Sequence, residues 1–331
     1  MFLRKSVVFL FFSFLFLGLF SLTSCSNKDE DIISTVYAGY DFANAVLGKD
    51  SNHNATMLVK PGVEIHDFQP SAANIKSILN AKVFIYVGGE DDAPWVEEEI
   101  LTKVSSKTKV INMFECLKNK GVNLLDEEKP TSALEEEEEE EEEEEYDAHV
   151  WTSPKNAIII TEAIRDALCE IDSNNKDTYI NNTKKYVDSL NEIDNSIRNI
   201  VANSKNNLMI FGDRFPLLYF VKEYGINYDA AFNGCSSNHD ASSQVIVSLT
   251  NKVIENKLKY VFIIEMSSSS VARTIKDEVS KKIKNGEYDG NNVEILTFYS
   301  MQNITKDDFN KGYTYIDFMN MNIEALKLAL N

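Results

Sequence analysis

The chain has four histidines, and any chemistry built on imidazole must draw on them: His53, His66, His149 and His239. His66 follows a short apolar segment and a Pro-Gly turn, and His149 comes just before a helix start. Imidazole nitrogen is a good zinc ligand, and a neighbouring carboxylate can orient the ring. Asp67 and Asp147 are placed to give that support. Each histidine alone is typical of a polar loop, but together they also fit a metal site.

The glutamate run 135–145, just ahead of His149, consists of eleven acidic residues without interruption. Like charges repel one another and none of them can be buried unpaired, so the run predicts a disordered surface loop. The chain as a whole has a formal net charge of −19. Nucleic acid is therefore excluded as an expected partner, because its phosphates would be repelled. The same charge is typical of a solvated surface and would also attract cations.

The first residues predict export from the cytoplasm. Two basic residues precede an apolar run over residues 6–22, which is the arrangement of a signal peptide. An uncleaved membrane-anchor helix is the alternative. Residues 22–25, Leu-Thr-Ser-Cys, resemble a bacterial lipobox, which favours cleavage and lipidation of Cys25. We therefore expect a signal peptide over 1–24, a lipidated tether over 25–31, and a mature protein anchored to a bacterial membrane, extracytoplasmic, in the periplasm or at the cell surface.

Short apolar segments alternate with amphipathic segments through most of the chain. Such alternation predicts an α/β fold with mostly parallel sheets. The predicted strands are residues 32–36, 55–59, 83–87, 110–113, 208–211, 226–231, 260–264 and 293–298. The predicted helices are residues 40–47, 71–79, 95–104, 154–169, 216–224, 242–256, 270–284 and 313–330.

A long segment over 176–203 separates the two groups of strands. Its apolar residues recur every three or four positions, and neither Gly nor Pro interrupts it, which predicts one long helix with a single apolar stripe. We expect this helix, within a link over 171–204, to join an N-terminal lobe over 32–170 to a C-terminal lobe over 205–331. Ligands of such folds usually lie in the cleft at the carboxyl ends of the strands.

Several motifs resemble the zinc/manganese solute-binding proteins of bacterial ABC importers. Residues 56–71, which run from Thr-Met-Leu-Val-Lys-Pro-Gly to His-Asp-Phe-Gln-Pro-Ser, are similar to the loop of the family's first ligand. Residues 147–157, Asp-Ala-His-Val-Trp-Thr-Ser-Pro-Lys-Asn-Ala, are close to its second-ligand motif, and residues 86–96 match the strand and turn between them. The similarity extends over about residues 33–330.

The resemblance implies two lobes joined by a rigid helix, with one metal ion held in the cleft by His66 and His149. It implies a monomeric binding protein without catalysis, which delivers its ion to a permease and its ATPase. Zn²⁺ is the expected ion because imidazole suits it, and Mn²⁺ is the alternative if carboxylates complete the site. Zinc-type members often carry a His-rich or acid-rich loop before the second ligand. The run 135–145 is therefore expected either to gather ions weakly or to be a tolerated insertion.

The chain departs from the family at the third and fourth ligands. The third position falls on Gly212, which leaves Asp213 as a candidate oxygen ligand, or as a partner of Arg214 or of a cation from the other lobe. The fourth position falls near residues 299–302, which include no strong zinc ligand. Glu265 follows five apolar strand residues and is expected at the cleft, either as a ligand or as support for one.

Other groups could complete the site: Cys235, His239, Gln302 or water. Cys235 is equally typical of a small buried residue, and His239 of a surface loop. We expect His53 to be exposed, since its neighbours are polar. Cys116 and Cys169 lie in apolar surroundings and are expected in the core. The chain has no CxxC motif.

Two other classes of function are consistent with parts of the sequence. A surface lipoprotein or adhesin with a degenerate metal site would explain the missing third and fourth ligands. A metalloenzyme is disfavoured, because the sequence contains no HExxH, GxSxG, Walker or GxGxxG motif.

Overall fold

The computed structural model describes residues 31–64, 68–89, 92–132, 146–234 and 241–331. Several predicted features lie outside these ranges: the export signal with Cys25, His66 with Asp67, the glutamate run 135–145, and Cys235 with His239. Among the described residues, no helix combines the length and apolar character that crossing a membrane requires.

The N-terminal lobe is built on a sheet of four parallel strands in the order β2-β1-β3-β4. The strands are β1 (Ile32–Ser34), β2 (Ala55–Met57), β3 (Val83–Tyr86) and β4 (Lys109–Asn112). All four residues of β3 are buried, as expected for a parallel strand covered on both faces. The helices of this lobe are α1 (Tyr37–Leu47), α2 (Ala72–Asn80), α3 (Ala93–Trp95), which continues as a π-helix over Val96–Leu101, and α4 (Met113–Lys118).

Two long helices follow the N-terminal lobe, α5 (Pro154–Ile171) and α6 (Lys176–Ala202). α5 begins where the sequence predicts, because the Ser153 side chain accepts a hydrogen bond from the Asn156 amide and Pro154 occupies the first turn. α6 has 27 residues, which corresponds to a length of about 40 Å. It buries Leu190, Ile193 and Ile197 along one stripe. The long joining helix predicted for this part of the chain is therefore present.

The C-terminal lobe repeats the strand order of the first, with four parallel strands arranged β6-β5-β7-β8. The strands are β5 (Leu208–Phe211), β6 (Asn227–Ala230), β7 (Tyr260–Ile263) and β8 (Glu294–Thr297). The helices are α7 (Leu218–Tyr224), α8 (Ser243–Glu255), α9 (Ser270–Lys284), α10 (Lys306–Lys311) and α11 (Tyr315–Leu330). The prediction of an α/β fold with parallel sheets is confirmed.

Apolar residues from both lobes and from α6 belong to one continuous core. α11, the last helix, returns to pack against α6 and α1. Phe42 of α1 and Tyr315 of α11 show the connection, with ring centroids 5.0 Å apart. The two lobes are therefore joined by packing as well as by the chain. The division at residues 170 and 204 stays a prediction.

The expectation that His53 is exposed is wrong. Its side chain is 14% exposed, with Nδ1 2.8 Å from Asp31 Oδ2 and Nε2 3.4 Å from Asp172 Oδ2. The ring lies between the start of β1 and the turn that joins α5 to α6. Its partners are 22 and 119 residues away along the chain, so the polar residues beside it in sequence gave no sign of this contact.

Candidate functional site

His149 lies in a tight turn between the N-terminal lobe and the start of α5. The residue is 1% exposed and Asp147 is 3% exposed. The Asp147 Oδ1 atom accepts a hydrogen bond from the His149 amide at 2.8 Å and lies 3.2 Å from His149 Nδ1. Asp147 therefore gives the support predicted for it. When Nδ1 carries the proton toward this carboxylate, Nε2 keeps the lone pair that a metal ion requires.

Trp151, two residues after His149, is held by residues of the C-terminal lobe. Trp151 lies with its ring 5.5 Å from the His149 ring, centroid to centroid. Its indole Nε1 donates to the Ser300 carbonyl at 2.8 Å, and its own carbonyl accepts from the Tyr315 hydroxyl at 2.7 Å. The orientation of the His149 turn thus depends on the C-terminal part of the chain.

A small cavity beside this turn has a volume of about 20 Å³, enough for about one water molecule or one ion. Most of its lining is apolar, and its walls include Phe68, Trp95, Ala148 and Trp151. The polar lining residues are Thr35, Asp92 and Gln302. Gln302 comes from the C-terminal lobe and the others from the N-terminal side, so the cavity lies in the cleft between the lobes.

Asp92 is a buried carboxylate in the cavity wall that the sequence analysis missed. Its oxygens accept hydrogen bonds from the amides of Val87 and Gly88, at 2.8 and 2.9 Å, and from the Thr35 hydroxyl at 2.7 Å. These bonds hold the turn after β3. A signal was available, since Asp92 follows a strand and a Gly-Gly turn much as His66 follows a strand and a Pro-Gly turn.

Glu265 lies just after β7, and its carboxylate holds a loop of the same lobe. Its side chain is 6% exposed. One oxygen accepts from the Ser300 amide and the other from the Ser300 hydroxyl, both at 2.7 Å. Burial raises the pKa of Glu265, and the hydrogen bonds from Ser300 lower it in part. Glu265 thereby fixes the loop that carries Gln302 to the cavity. Its role as a metal ligand stays a prediction.

Asp213 is fixed to the end of β7. Its two carboxylate oxygens accept from the amides of Arg214 and Ile264, at 2.9 and 3.1 Å. The Arg214 side chain itself turns away to Glu64 of the N-terminal lobe. Among the described residues, Asp213 therefore pairs neither with the Arg214 guanidinium nor with a cation of the other lobe. Its role as a metal ligand stays a prediction.

Gly212 leaves no space for the family's third ligand. A Cβ atom at this position would lie 2.6–2.8 Å from the backbone and Cβ of Ala272 in α9. A histidine or glutamate here would require α9 to move. The packing of α9 in the C-terminal lobe therefore explains why glycine, and not a metal ligand, occupies position 212. Within the described ranges, no three His, Cys, Asp or Glu side chains converge as a metal-ligand group, and His66, Cys235 and His239 lie outside those ranges.

Comparison with protein families gives a match over nearly the whole chain. The model described as zinc-uptake complex component A, periplasmic, matches residues 32–329. The zinc-binding lipoprotein AdcA of Streptococcus pneumoniae is 29% identical over 311 residues, which are 92% of this chain and 58% of that protein. The high-affinity zinc uptake system protein ZnuA of Bacillus subtilis is 28% identical over 299 residues, 90% of this chain and 87% of that protein. The chain thus spans little more than half the length of the first relative.

Solved structures with the same architecture match this chain over 90% of its length. The Zn(II)-bound ZnuA-like domain of Streptococcus pneumoniae AdcA matches with a TM-score of 0.68 and 26% identity, over 90% of this chain and 98% of that one. The periplasmic zinc-binding protein TroA of Treponema pallidum has a TM-score of 0.68 at 18% identity, over 90% and 98% of the two chains. The second likeness concerns the fold alone.

Proposed function

Because this chain belongs to the zinc-uptake complex component A (ZnuA) family, we propose that it captures Zn²⁺ outside the cytoplasm and delivers it to an ABC transporter permease with its ATPase. Its relatives AdcA and ZnuA are described by name as zinc-binding and zinc-uptake proteins. The lipid anchor at Cys25 and a monomeric state are parts of the same proposal. Catalysis has no place in it, since the family is one of binding proteins for transport.

The observation that carries the proposal is the buried pair of His149 and Asp147, in a turn whose residues Ala148 and Trp151 line a cavity of about 20 Å³. A buried imidazole backed by a carboxylate is the usual arrangement of a zinc-binding histidine. The apolar walls of the cavity would exclude competing water from a bound ion. A neutral amide, Gln302, stands in the wall near the place where the family has its fourth ligand.

We propose His66 and His149 as the imidazole ligands, with Asp213 and Glu265 as the candidate carboxylates. Both carboxylates already accept backbone hydrogen bonds, but each oxygen has a second lone pair. Two nitrogen ligands favour zinc over manganese, which prefers oxygen. Manganese becomes the better candidate if both carboxylates bind together.

Titration calorimetry with zinc tests the proposal on soluble protein that begins at residue 26. We expect one tight site, and a loss of affinity of more than about 100-fold in His149→Ala and in His66→Ala, because loss of even a supporting partner costs about 10- to 100-fold. Asp147→Asn should fall within that smaller range. His53→Gln is the matched control, since His53 lies at the opposite end of the sheet, just before β2 and in contact with Asp31 at the start of β1.

Deletion of residues 135–145 separates capture from surface adsorption of ions. A tight site that survives this deletion and is lost with either histidine supports a capture protein. Weak binding at many sites that disappears with the deletion, and is indifferent to His66 and His149, would contradict the proposal. That result would favour a surface lipoprotein whose metal site is degenerate.

A further inference from the structure

The segment 122–132 comes from the N-terminal part of the chain but lies against α7 of the C-terminal lobe. Its Leu125 amide donates to the Tyr219 hydroxyl at 2.9 Å. Three residues further on, Glu128 pairs with Lys222 at 2.6 Å. The side chains of Lys222 and Glu128 are about half exposed, whereas Tyr219 is 4% exposed. Of these two contacts, the one made by Tyr219 is therefore shielded from water.

Leu125 also contacts the turn that carries His149. Its carbonyl accepts a hydrogen bond from the Asp147 amide at 2.9 Å. The neighbouring residues Asp126 and Tyr146 form an antiparallel bridge. Leu125 is thus bonded to Tyr219 through its amide and to Asp147 through its carbonyl. A single residue separates the hydroxyl of the C-terminal lobe from the residue that supports the proposed ligand.

Asp147 passes this restraint on to His149. Its Oδ1 atom accepts from the His149 amide at 2.8 Å and lies 3.2 Å from His149 Nδ1. The residues Val150–Thr152, which follow in the same turn, pack against α7. Because Asp147 and His149 share one tight turn, a shift of the Asp147 backbone would move the carboxylate relative to the imidazole ring.

Tyr219 is held in a rigid part of the C-terminal lobe. The next residue, Phe220, packs against Phe298 with ring centroids 5.1 Å apart. Near the end of α7, Glu223 forms a salt bridge with Arg198 of α6. The Tyr219 hydroxyl therefore projects from a fixed helix toward the segment 122–132.

The surroundings of Tyr219 keep its hydroxyl neutral. Burial raises the pKa of Tyr219, and the charge of Asp147 raises it further, while the hydrogen bond from the Leu125 amide lowers it in part. Replacing Tyr219 with phenylalanine would therefore remove one neutral hydrogen-bond acceptor and no charge.

We propose that Tyr219 is a positioning residue for the zinc site: through the backbone of Leu125, its hydroxyl holds Asp147 where that carboxylate orients His149. The proposal rests on the function proposed above. It adds to that function a residue of the C-terminal lobe that acts on a ligand from the N-terminal side.

Titration calorimetry with zinc, on soluble protein that begins at residue 26, tests this role. We expect Tyr219→Phe to weaken zinc binding by about two- to tenfold, the range that corresponds to the loss of one neutral hydrogen bond. In an Asp147→Ala background the same substitution should weaken binding no further, because the carboxylate through which Tyr219 acts is then absent.

The imidazole tautomer of His149 gives a second measurement, which needs no metal. The nitrogen chemical shifts of the ring, assigned by their loss in His149→Ala, distinguish a proton on Nδ1 from one on Nε2. In metal-free wild type we expect the proton on Nδ1, facing Asp147. At the same pH, Tyr219→Phe should increase the share of the Nε2-protonated ring. A general loss of stability would lower the urea midpoint and leave this share unchanged.

Tyr224→Phe is the matched control. Tyr224 is the last residue of α7 and is 7% exposed. Its hydroxyl donates to Asp194 Oδ1 of α6 at 3.0 Å, so the substitution also removes one hydrogen bond of a buried tyrosine, but not one to the segment 122–132. Zinc affinity and the His149 tautomer should stay as in wild type. Effects equal to those of Tyr219→Phe would overturn the role of Tyr219, because any weakening of α7 would then act on the site.

The outcomes separate the two proposals. If wild-type protein binds no zinc tightly, the proposed function fails and the role of Tyr219 fails with it. If zinc binds tightly and is lost in His149→Ala, while Tyr219→Phe keeps the affinity and tautomer of wild type, the role of Tyr219 alone is refuted. A loss of affinity that persists in the Asp147→Ala background also refutes it, since Tyr219 would then not act through Asp147.

Discussion

At the scale of single residues, Asp41 in α1 is a carboxylate buried in the core. It accepts a hydrogen bond from the Tyr186 hydroxyl of α6 at 2.9 Å and another from the backbone of Tyr315 at the start of α11. Burial raises the pKa of Asp41 to about 6, although these hydrogen bonds lower it in part. The Asp41 side chain thus links α1, α6 and α11 by hydrogen bonds. It is also a titratable group inside the core.

Asp41 should make the stability of the protein depend on pH in an unusual direction. In the unfolded chain its carboxyl loses the proton near the ordinary pKa of 3.8, and in the folded protein near 6. Between these values the folded state binds more protons, so this contribution to the free energy of unfolding falls as pH rises from about 4 to about 6. Urea unfolding should show wild type losing at most about 3 kcal/mol relative to Asp41→Asn over this interval.

Asp188→Asn on α6 is the control for Asp41, because the Asp188 side chain is 58% exposed. The difference in unfolding free energy between Asp188→Asn and wild type should stay nearly constant from pH 4 to pH 7. A similarly constant difference for Asp41→Asn would mean that folding leaves the pKa of Asp41 near its ordinary value, contrary to the direction given by its burial.

What the sequence could predict about residues depended on how far away their partners lie. The turn that holds His149 against Asp147 is local, so its residue types and spacing were enough. The blocked space at Gly212 depends on Ala272, and the contacts of His53 depend on Asp31 and Asp172. Such partners are brought together only by the tertiary fold, which single-sequence patterns do not describe.

At the scale of elements, α11 begins with a reciprocal cap that affects the cleft. The Thr314 hydroxyl accepts from the Asp317 amide, while the Asp317 carboxylate accepts from the Thr314 amide at 2.9 Å. The first helical residue is Tyr315, whose hydroxyl donates to the Trp151 carbonyl. The cap therefore fixes the residue that supports the turn of His149.

Loss of this cap should destabilise the fold measurably. Asp317→Ala removes one half of the capping box and is expected to lower the free energy of unfolding by about 1 kcal/mol, measured by urea denaturation. Thr305→Ala at the start of α10 is the comparison, since Thr305 also accepts from an amide three residues on, that of Asp308. α10 has six residues, none of them buried. If Thr305→Ala lowers the free energy of unfolding as much as Asp317→Ala does, the contribution of a cap does not depend on whether the capped helix is buried.

The length of an element explains whether the sequence pattern predicts it. The predicted strands and long helices are present because each has an apolar run or stripe of several residues. α4 and α10 have six residues each, too few to show a helical period. Their starts are set by the side chains of Asn112 and Thr305, which accept amide hydrogen bonds. Short helices of this kind are specified by capping, which a search for periodicity does not detect.

At the scale of the whole molecule, a ligand held between the lobes must also stabilise the fold. Both lobes supply walls of the cavity, and both share one core. A ligand that binds only the folded protein adds to the free energy of unfolding in proportion to the logarithm of its concentration over its dissociation constant. At a free zinc concentration of 100 times that constant, we expect a gain of about 2.7 kcal/mol.

Urea unfolding with and without zinc measures this gain. His149→Ala should lose it at the same zinc concentration, and His53→Gln should keep it. Equal stabilisation of wild type and His149→Ala would place the bound zinc elsewhere on the chain. That result would agree with ions adsorbed at the glutamate run 135–145 and would argue against the cleft.

The cavity in the cleft also bears on the tryptophan fluorescence of the protein. The chain has two tryptophans, and both Trp95 and Trp151 line that cavity. Trp151 is further fixed by its hydrogen bond to Ser300. All tryptophan fluorescence of this protein therefore originates in the wall of the cleft. The chain carries its own optical probe at the place where the lobes meet, and no dye has to be attached to observe that place.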